Sequence, residues 1–206
     1  MSEFFLELFS EEIPVNLQKN ARQNLLQNFK DFFEKKNINF NKGQSFSTPN
    51  RLIILFSNVQ STINQKEEEI RGPKVDAPEK AMNGFLRSNN LRKQDIYKKD
   101  TDKGVFYFAK KPSKIIKVYD LLNENIPLIL DKISWKKSMK WGEFDLYWAR
   151  PLKSILSIFN NKVLNFKYHH IQSSNFTIVD KDFEDKIKNF KNFKIYLKYF
   201  KKSKII

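Results

Sequence analysis

The run Leu52-Ile53-Ile54-Leu55-Phe56, inside the segment Arg51 to Val59, sets the tightest limit on what this chain can fold into. Five consecutive apolar residues leave no side for water, so the run suits a central strand of a sheet. Two elements that could pack with it are legible upstream. Residues 3 to 9, Glu3-Phe4-Phe5-Leu6-Glu7-Leu8-Phe9, alternate in part and read as a first strand. Ser10-Glu11-Glu12-Ile13-Pro14 then turns the chain into a helix with a buried stripe of Leu17, Ala21, Leu25, Phe29 and Phe32-Phe33, and Asn37 is its stop. After Gly43 come two β pieces broken at Thr48-Pro49, the second of them the apolar run.

Downstream, Gln65 to Ile70 reads as a strand, and Pro78 starts a helix with Ala81, Met82, Phe85 and Leu86 at helical spacing. Lys98 to Gly104 is a hairpin connection into Val105-Phe106-Tyr107-Phe108. A helix is expected from Ser113 through Ile133, interrupted at Pro127, with Ile115, Tyr119, Leu122 and Ile126 on one face. Phe144, Leu146 and Trp148 alternate as in a half-buried strand, and Asn160-Asn161 is a turn before a strand from Val163 to His169. The mixture predicts an α+β fold with largely antiparallel pairing and no internal repeat. The lysine- and phenylalanine-rich end, Lys181 to Lys204, reads as a terminal helix lying on the body or the stub of a further domain.

Composition narrows the function classes. The 206 residues carry a formal net charge of +15, a surplus that favours a polyanionic partner, most simply nucleic acid. Abundant Lys, Asn, Ile and Phe beside only 5 Gly also fit a chain encoded by an AT-rich genome, which would supply lysine with no binding role. Without cysteine there is neither a disulfide nor a thiolate metal site. The only histidines, His169-His170, are neighbours that a strand would point to opposite faces, one buried and one exposed. No apolar run is long enough to span a bilayer and no signal peptide opens the chain, so a cytoplasmic protein is expected. Glu11-Glu12 fit a capping or dipole role and Glu67-Glu68-Glu69 a solvated run. No Gly-rich phosphate loop, nucleophile elbow or metal-ligand spacing is present, so no catalytic residue, cofactor or metal is expected in this chain.

Two basic segments are the candidate nucleic-acid contacts. In Arg71 to Arg87, RGPKVDAPEKAMNGFLR, a basic loop around Gly72-Pro73 feeds a helix start, an arrangement that can hold phosphate. Its candidates are Arg71, Lys74 and Arg87. In Trp135 to Gly142, two indoles frame Lys136, Lys137 and Lys140. The lysines could meet phosphates while the rings stack, or Trp135, Met139 and Trp141 could anchor a loop into the core. Arg150, closing the next strand, is a further phosphate donor or a salt-bridge partner.

Taken together, LELFSEEIP (6–14), STPNRL (47–52), RGPKVDAPEKAMNGFLR (71–87), DKGVFY (102–107), KKSMKWG (136–142) and WARPLKSIL (148–156) closely resemble, in order, the N-terminal part of the β subunit of heterotetrameric bacterial glycyl-tRNA synthetase. Lys153 stands where that family usually has histidine, and a glycine-histidine-arginine-phenylalanine block expected soon after Asn175 is absent. The resemblance implies an α+β body over residues 1–175 and a truncated remnant over 176–206, with the HD-type and anticodon-binding domains missing. It implies that ATP and glycine are used by a separate α subunit, while the β subunit binds tRNA(Gly) and holds the assembly together. The alternative is a scaffold or degenerate fragment that meets the α subunit without touching tRNA.

Overall fold

The computed structural model describes residues 2–180 and 186–203. In chain order the elements are β1 (Glu3–Ser10), α1 (Val15–Lys35), β2 (Lys42–Thr48), β3 (Arg51–Ser57), β4 (Thr62–Gln65), β5 (Glu68–Lys74) and α2 (Glu79–Asn89). Then follow β6 (Ile96–Thr101), β7 (Gly104–Lys111), β8 (Lys114–Lys117), α3 (Val118–Leu130), β9 (Met139–Lys140), β10 (Tyr147–Trp148) and β11 (Leu152–Phe159). The last are β12 (Lys162–Val163), β13 (Lys167–Tyr168), β14 (Ile171–Ser174), β15 (Phe176–Asp180), β16 (Lys186–Asn189) and α4 (Phe193–Lys202). The chain divides into two compact units, Met1–Ile63 with Lys117–Ile206, and Asn64–Ile116.

The first unit is built on a sheet of order β13-β14-β11-β1-β3-β2, with β12 also on β11. Its ladders are antiparallel except for β11 with β14. The run Leu52 to Phe56 lies on β3, between β1 and β2, and Leu52, Ile53, Ile54 and Phe56 are buried. On one face Phe4, Leu6, Leu8, Leu52, Ile54 and Phe56 meet the stripes of α1 and α3 in a single core. Phe56 receives Phe33 and Phe40 edge-on, at 4.9 and 5.0 Å between centroids. Helix α1 buries the six residues its period predicts, Leu17, Ala21, Leu25, Phe29, Phe32 and Phe33. It ends where Asn37 takes φ 53°, with the Ile38 N–H on Phe33 O at 2.8 Å and the Asn37 N–H on Glu34 O at 3.0 Å. Those two bonds form a Schellman stop, which needs a left-handed residue that asparagine tolerates.

The second face of the sheet is organised by the period-2 side of β1. Glu3 accepts the Phe193 N–H at 2.8 Å, placing a carboxylate at the positive end of α4. Phe5 packs on Phe193 and Tyr196 at 5.2 and 4.9 Å. Glu7, fully buried, accepts the Tyr196 hydroxyl and pairs with Arg51 Nε at 3.4 Å. The Arg51 guanidinium lies over the Phe9 and Phe200 rings at 4.7 and 4.6 Å and donates to Ile178 O at 2.5 Å. Asn192 caps α4 by accepting the Ile195 N–H at 3.0 Å. Phe5, Ile53, Leu156, Ile158, Phe190, Tyr196 and Phe200 close this second core. The end of the chain, as far as it is described, therefore packs as a helix on the body; Lys181–Asp185 and Lys204–Ile206 lie outside the described residues.

The second unit, described on its own, is an antiparallel sheet of order β5-β7-β6 with α2 beside β5. Asp102 and Lys103 form the tight turn of the expected β6–β7 hairpin, and Gly104 takes φ 103°. Helix α2 starts after Pro78 as expected and ends on a left-handed Asn90, φ 54°.

Several local expectations are corrected. Ile115 lies on the short strand β8 and is exposed, so the helix begins only at Val118. Pro127 sits inside α3 without ending it, because Ile126, Ile129 and Leu130 around it are held in the core. Only Tyr147–Trp148 of the expected 144–148 strand is β, and the expected 163–169 strand is split into β12 and β13. Asn160 and Asn161, φ 50° and 60°, form the predicted turn between β11 and β12, both left-handed as a two-residue hairpin favours.

Burial pushes the Glu7 carboxyl above its ordinary 4.5, and Arg51 beside it restrains the rise. The native state then keeps a proton on Glu7 at pH values where the unfolded chain has released it. Stability supplied by that proton is present below 4.5 and is lost as pH rises through the native value, at a limiting slope of about 1.4 kcal/mol per pH unit. Urea unfolding across pH 4.5 to 8 should show this decline in the unaltered chain, and Glu7→Gln, which keeps the shape without the titration, should flatten it.

Candidate nucleic-acid interface

The second basic segment is shaped by its indoles. Trp135 packs edge-on against the buried Trp148, 5.0 Å between centroids, and Trp141 Nε1 donates to Trp148 O at 2.9 Å. Gly142, φ 63°, reverses the chain between β9 and β10. The indoles thus anchor the loop, whereas Met139 is exposed instead of buried with them. Lys136 and Lys137 are exposed and have no ion pair among the described residues. Lys140 is also exposed, but its Nζ lies 2.6 Å from Asp145, whose carboxyl it holds below the usual range while its own proton is held more tightly. Arg150 donates through Nε to Glu12 O at 3.3 Å. It opens into a cleft of about 700 Å3 that also includes Glu11, Glu12, Pro14 and Trp141.

In the first basic segment, Arg71 and Lys74 flank a register shift in β5 at Gly72-Pro73 and converge on one ring. The Arg71 guanidinium lies 3.6 Å from the Phe106 centroid and Lys74 Nζ 5.8 Å, so both cations are held over an aromatic face. Arg87 is not brought to the helix start. It lies in the last turn of α2, about 12 Å along the axis from the first turn at 1.5 Å per residue, where it suits the negative end of the dipole. The first turn carries Glu79 instead.

The acidic and histidine expectations also shift. Neither Glu11 nor Glu12 lies in the first turn of α1, which Pro14 opens without a side-chain cap; Glu11 pairs with Lys153 at 2.6 Å. Glu67 and Glu69 are bound rather than simply solvated. Glu67 meets Lys110 at 3.0 Å, and Glu69 accepts the Tyr97 hydroxyl and Lys99 Nζ, the latter at 2.6 Å. Bonding to Glu69 pushes the Tyr97 hydroxyl up to about 12. His169 and His170 are both exposed, because His169 takes φ 51° in a turn rather than lying in a strand. No group of three potential metal ligands converges among the described residues.

Two basic surfaces on an α+β frame are what the comparisons with known proteins then place in a family. The family described as "Glycyl-tRNA synthetase beta subunit" matches residues 4–206. The chain belongs to that family. Among its curated relatives, the glycine–tRNA ligase beta subunit of Rickettsia prowazekii (strain Madrid E) is 41% identical over 177 residues, and that of Rickettsia peacockii (strain Rustic) 40% over 177. Each match covers 86% of this chain and 26% of the relative, so the chain spans about a quarter of their length.

Sequence reasoning missed the exposure of Phe144, because its period-2 spacing with Leu146 and Trp148 imitates the buried side of a half-buried strand; Tyr147, on the other side of that pattern, is exposed as expected. It also missed why Gly72 precedes Pro73: a Cβ there would lie 2.8 Å from Phe85 Cε1, so only glycine lets β5 approach α2. Gly72→Ala should therefore destabilise the second unit by about 1–3 kcal/mol. Gly84→Ala, in α2 with nothing within 4 Å of its Cβ position, should stabilise it by about 0.5–1 kcal/mol. Amide exchange in residues 96–111 reads both changes.

Proposed function

We propose that the chain works as a non-catalytic β-subunit module of glycine–tRNA ligase, contacting tRNA(Gly) and assembling with the α subunit. The reaction is ATP-dependent glycylation of tRNA, with ATP and glycine handled by the α subunit, in the cytoplasm. The observation that carries this reading is the family match across residues 4–206. The net charge of +15 and the exposed cations Arg71, Lys74, Lys136, Lys137 and Arg150 support a polyanionic partner. Their role is to hold phosphates, which positions tRNA without reading its sequence.

Co-expression with the α subunit of the same organism, followed by co-purification and a glycylation assay, tests the assembly. A stable complex is expected, and its absence would refute the assembly role. For the tRNA contact, Lys136→Glu with Lys137→Glu should weaken tRNA(Gly) binding. The slope of log affinity against log salt should become shallower by about 2, one for each lysine–phosphate pairing removed. An unchanged slope would remove these lysines from the interface.

A further inference from the structure

Although the indoles of the second basic segment turn inward, other rings around it stay in water. Phe144 is 48% and Tyr147 63% exposed. The imidazole of His170 lies flat on the Phe144 ring, 3.6 Å between centroids and 10° between planes. This stack borders a hollow of about 300 Å3 that Trp141, Leu146, Pro151 and Leu152 complete. Desolvation, with His169 and Lys167 nearby, lowers the proton affinity of the His170 ring.

Cations neighbour the hollow along the chain, as do the acidic Glu143 and Asp145. Trp141 and Pro151 also line the larger cleft into which Arg150 opens. Lys140, directly cross-strand from Tyr147, precedes Trp141, and Lys136 and Lys137 lie just upstream. Exposed stacked rings with cations close by in the chain are complementary to a nucleotide, whose base has a π-face and whose flanks are anionic. A hollow of about 300 Å3 sits at the small end of ligand sites, as for one base and not for a peptide helix.

We propose that this hollow receives one unpaired base of an RNA, stacked against the Phe144–His170 pair, with its flanking phosphates met by Arg150, Lys136 and Lys137. The proposal rests on the tRNA-contact reading and adds the kind of nucleotide that is held. Of the side chains lining the hollow only His170 is polar apart from the Trp141 N–H, which Trp148 O already takes, so the base is accepted without strict identity.

The test is titration of the 206-residue chain with a tRNA(Gly) transcript and with hexa-adenylate RNA at several salt concentrations. Phe144→Ala should lower affinity for both RNAs by about tenfold and leave the salt slope unchanged, since the charge is the same. Phe144→Trp should bind like the unaltered chain. Should Phe144→Ala and His170→Ala both bind normally while Lys136→Glu with Lys137→Glu binds weakly, the base site is overturned and the tRNA contact stands. If the unaltered chain binds neither RNA, both fall together.

Discussion

A glutamate with no exposed surface, in the middle of the first strand, is the constraint on which the larger unit turns. Burying a carboxylate costs several kcal/mol unless its partners are brought to it. For Glu7 those partners are Arg51 on β3 and Tyr196 on α4. Arg51 in turn cannot shed its charge, and it is held by Ile178 O and by the faces of Phe9 and Phe200. One buried acid therefore couples the neighbouring strands β1 and β3 to β15 and to the last helix. Glu3, two strand positions before Phe5, repeats the logic at the start of α4. The first strand and α4 depend on one another for a shared core, which is why α4 packs as part of the body.

Elements specified by local chemistry were readable. The α1 stripe and its Asn37 stop, the Asn160-Asn161 turn and the Pro78 start each follow from a few neighbouring residues. Misreadings arose where tertiary contacts decide. A four-residue strand such as β8 has too few residues to show a period, and Ile115 fell by chance on the helical spacing of α3. Proline at 127 forfeits one backbone bond, yet the burial of Ile126 and Leu130 keeps the helix going. The insertion of residues 64–116 as a separate unit is a fact of long-range contacts that no local pattern announces, and the same holds for the partners of Glu7.

The candidate interface was legible as charge but not as geometry. Clusters of lysine and arginine stand out in any sequence, while their pairing does not. Arg71 and Lys74 share the Phe106 ring because of a bulge in β5, Lys140 is claimed by Asp145, and Arg87 belongs to the far end of its helix. That Phe144 stays in water becomes visible only once the indoles are seen to consume the core positions.

The decisive measurement is hydrogen exchange of the free chain and of the chain with tRNA(Gly). Strands β1 and β3 and helix α4 should share the highest protection and should not change on adding tRNA, while exchange slows at 136–150 and around 71–74. Fast, independent exchange of α4 would contradict the single core built on Glu7. Unchanged exchange in both basic segments, at tRNA concentrations well above those of the protein, would contradict the proposed role.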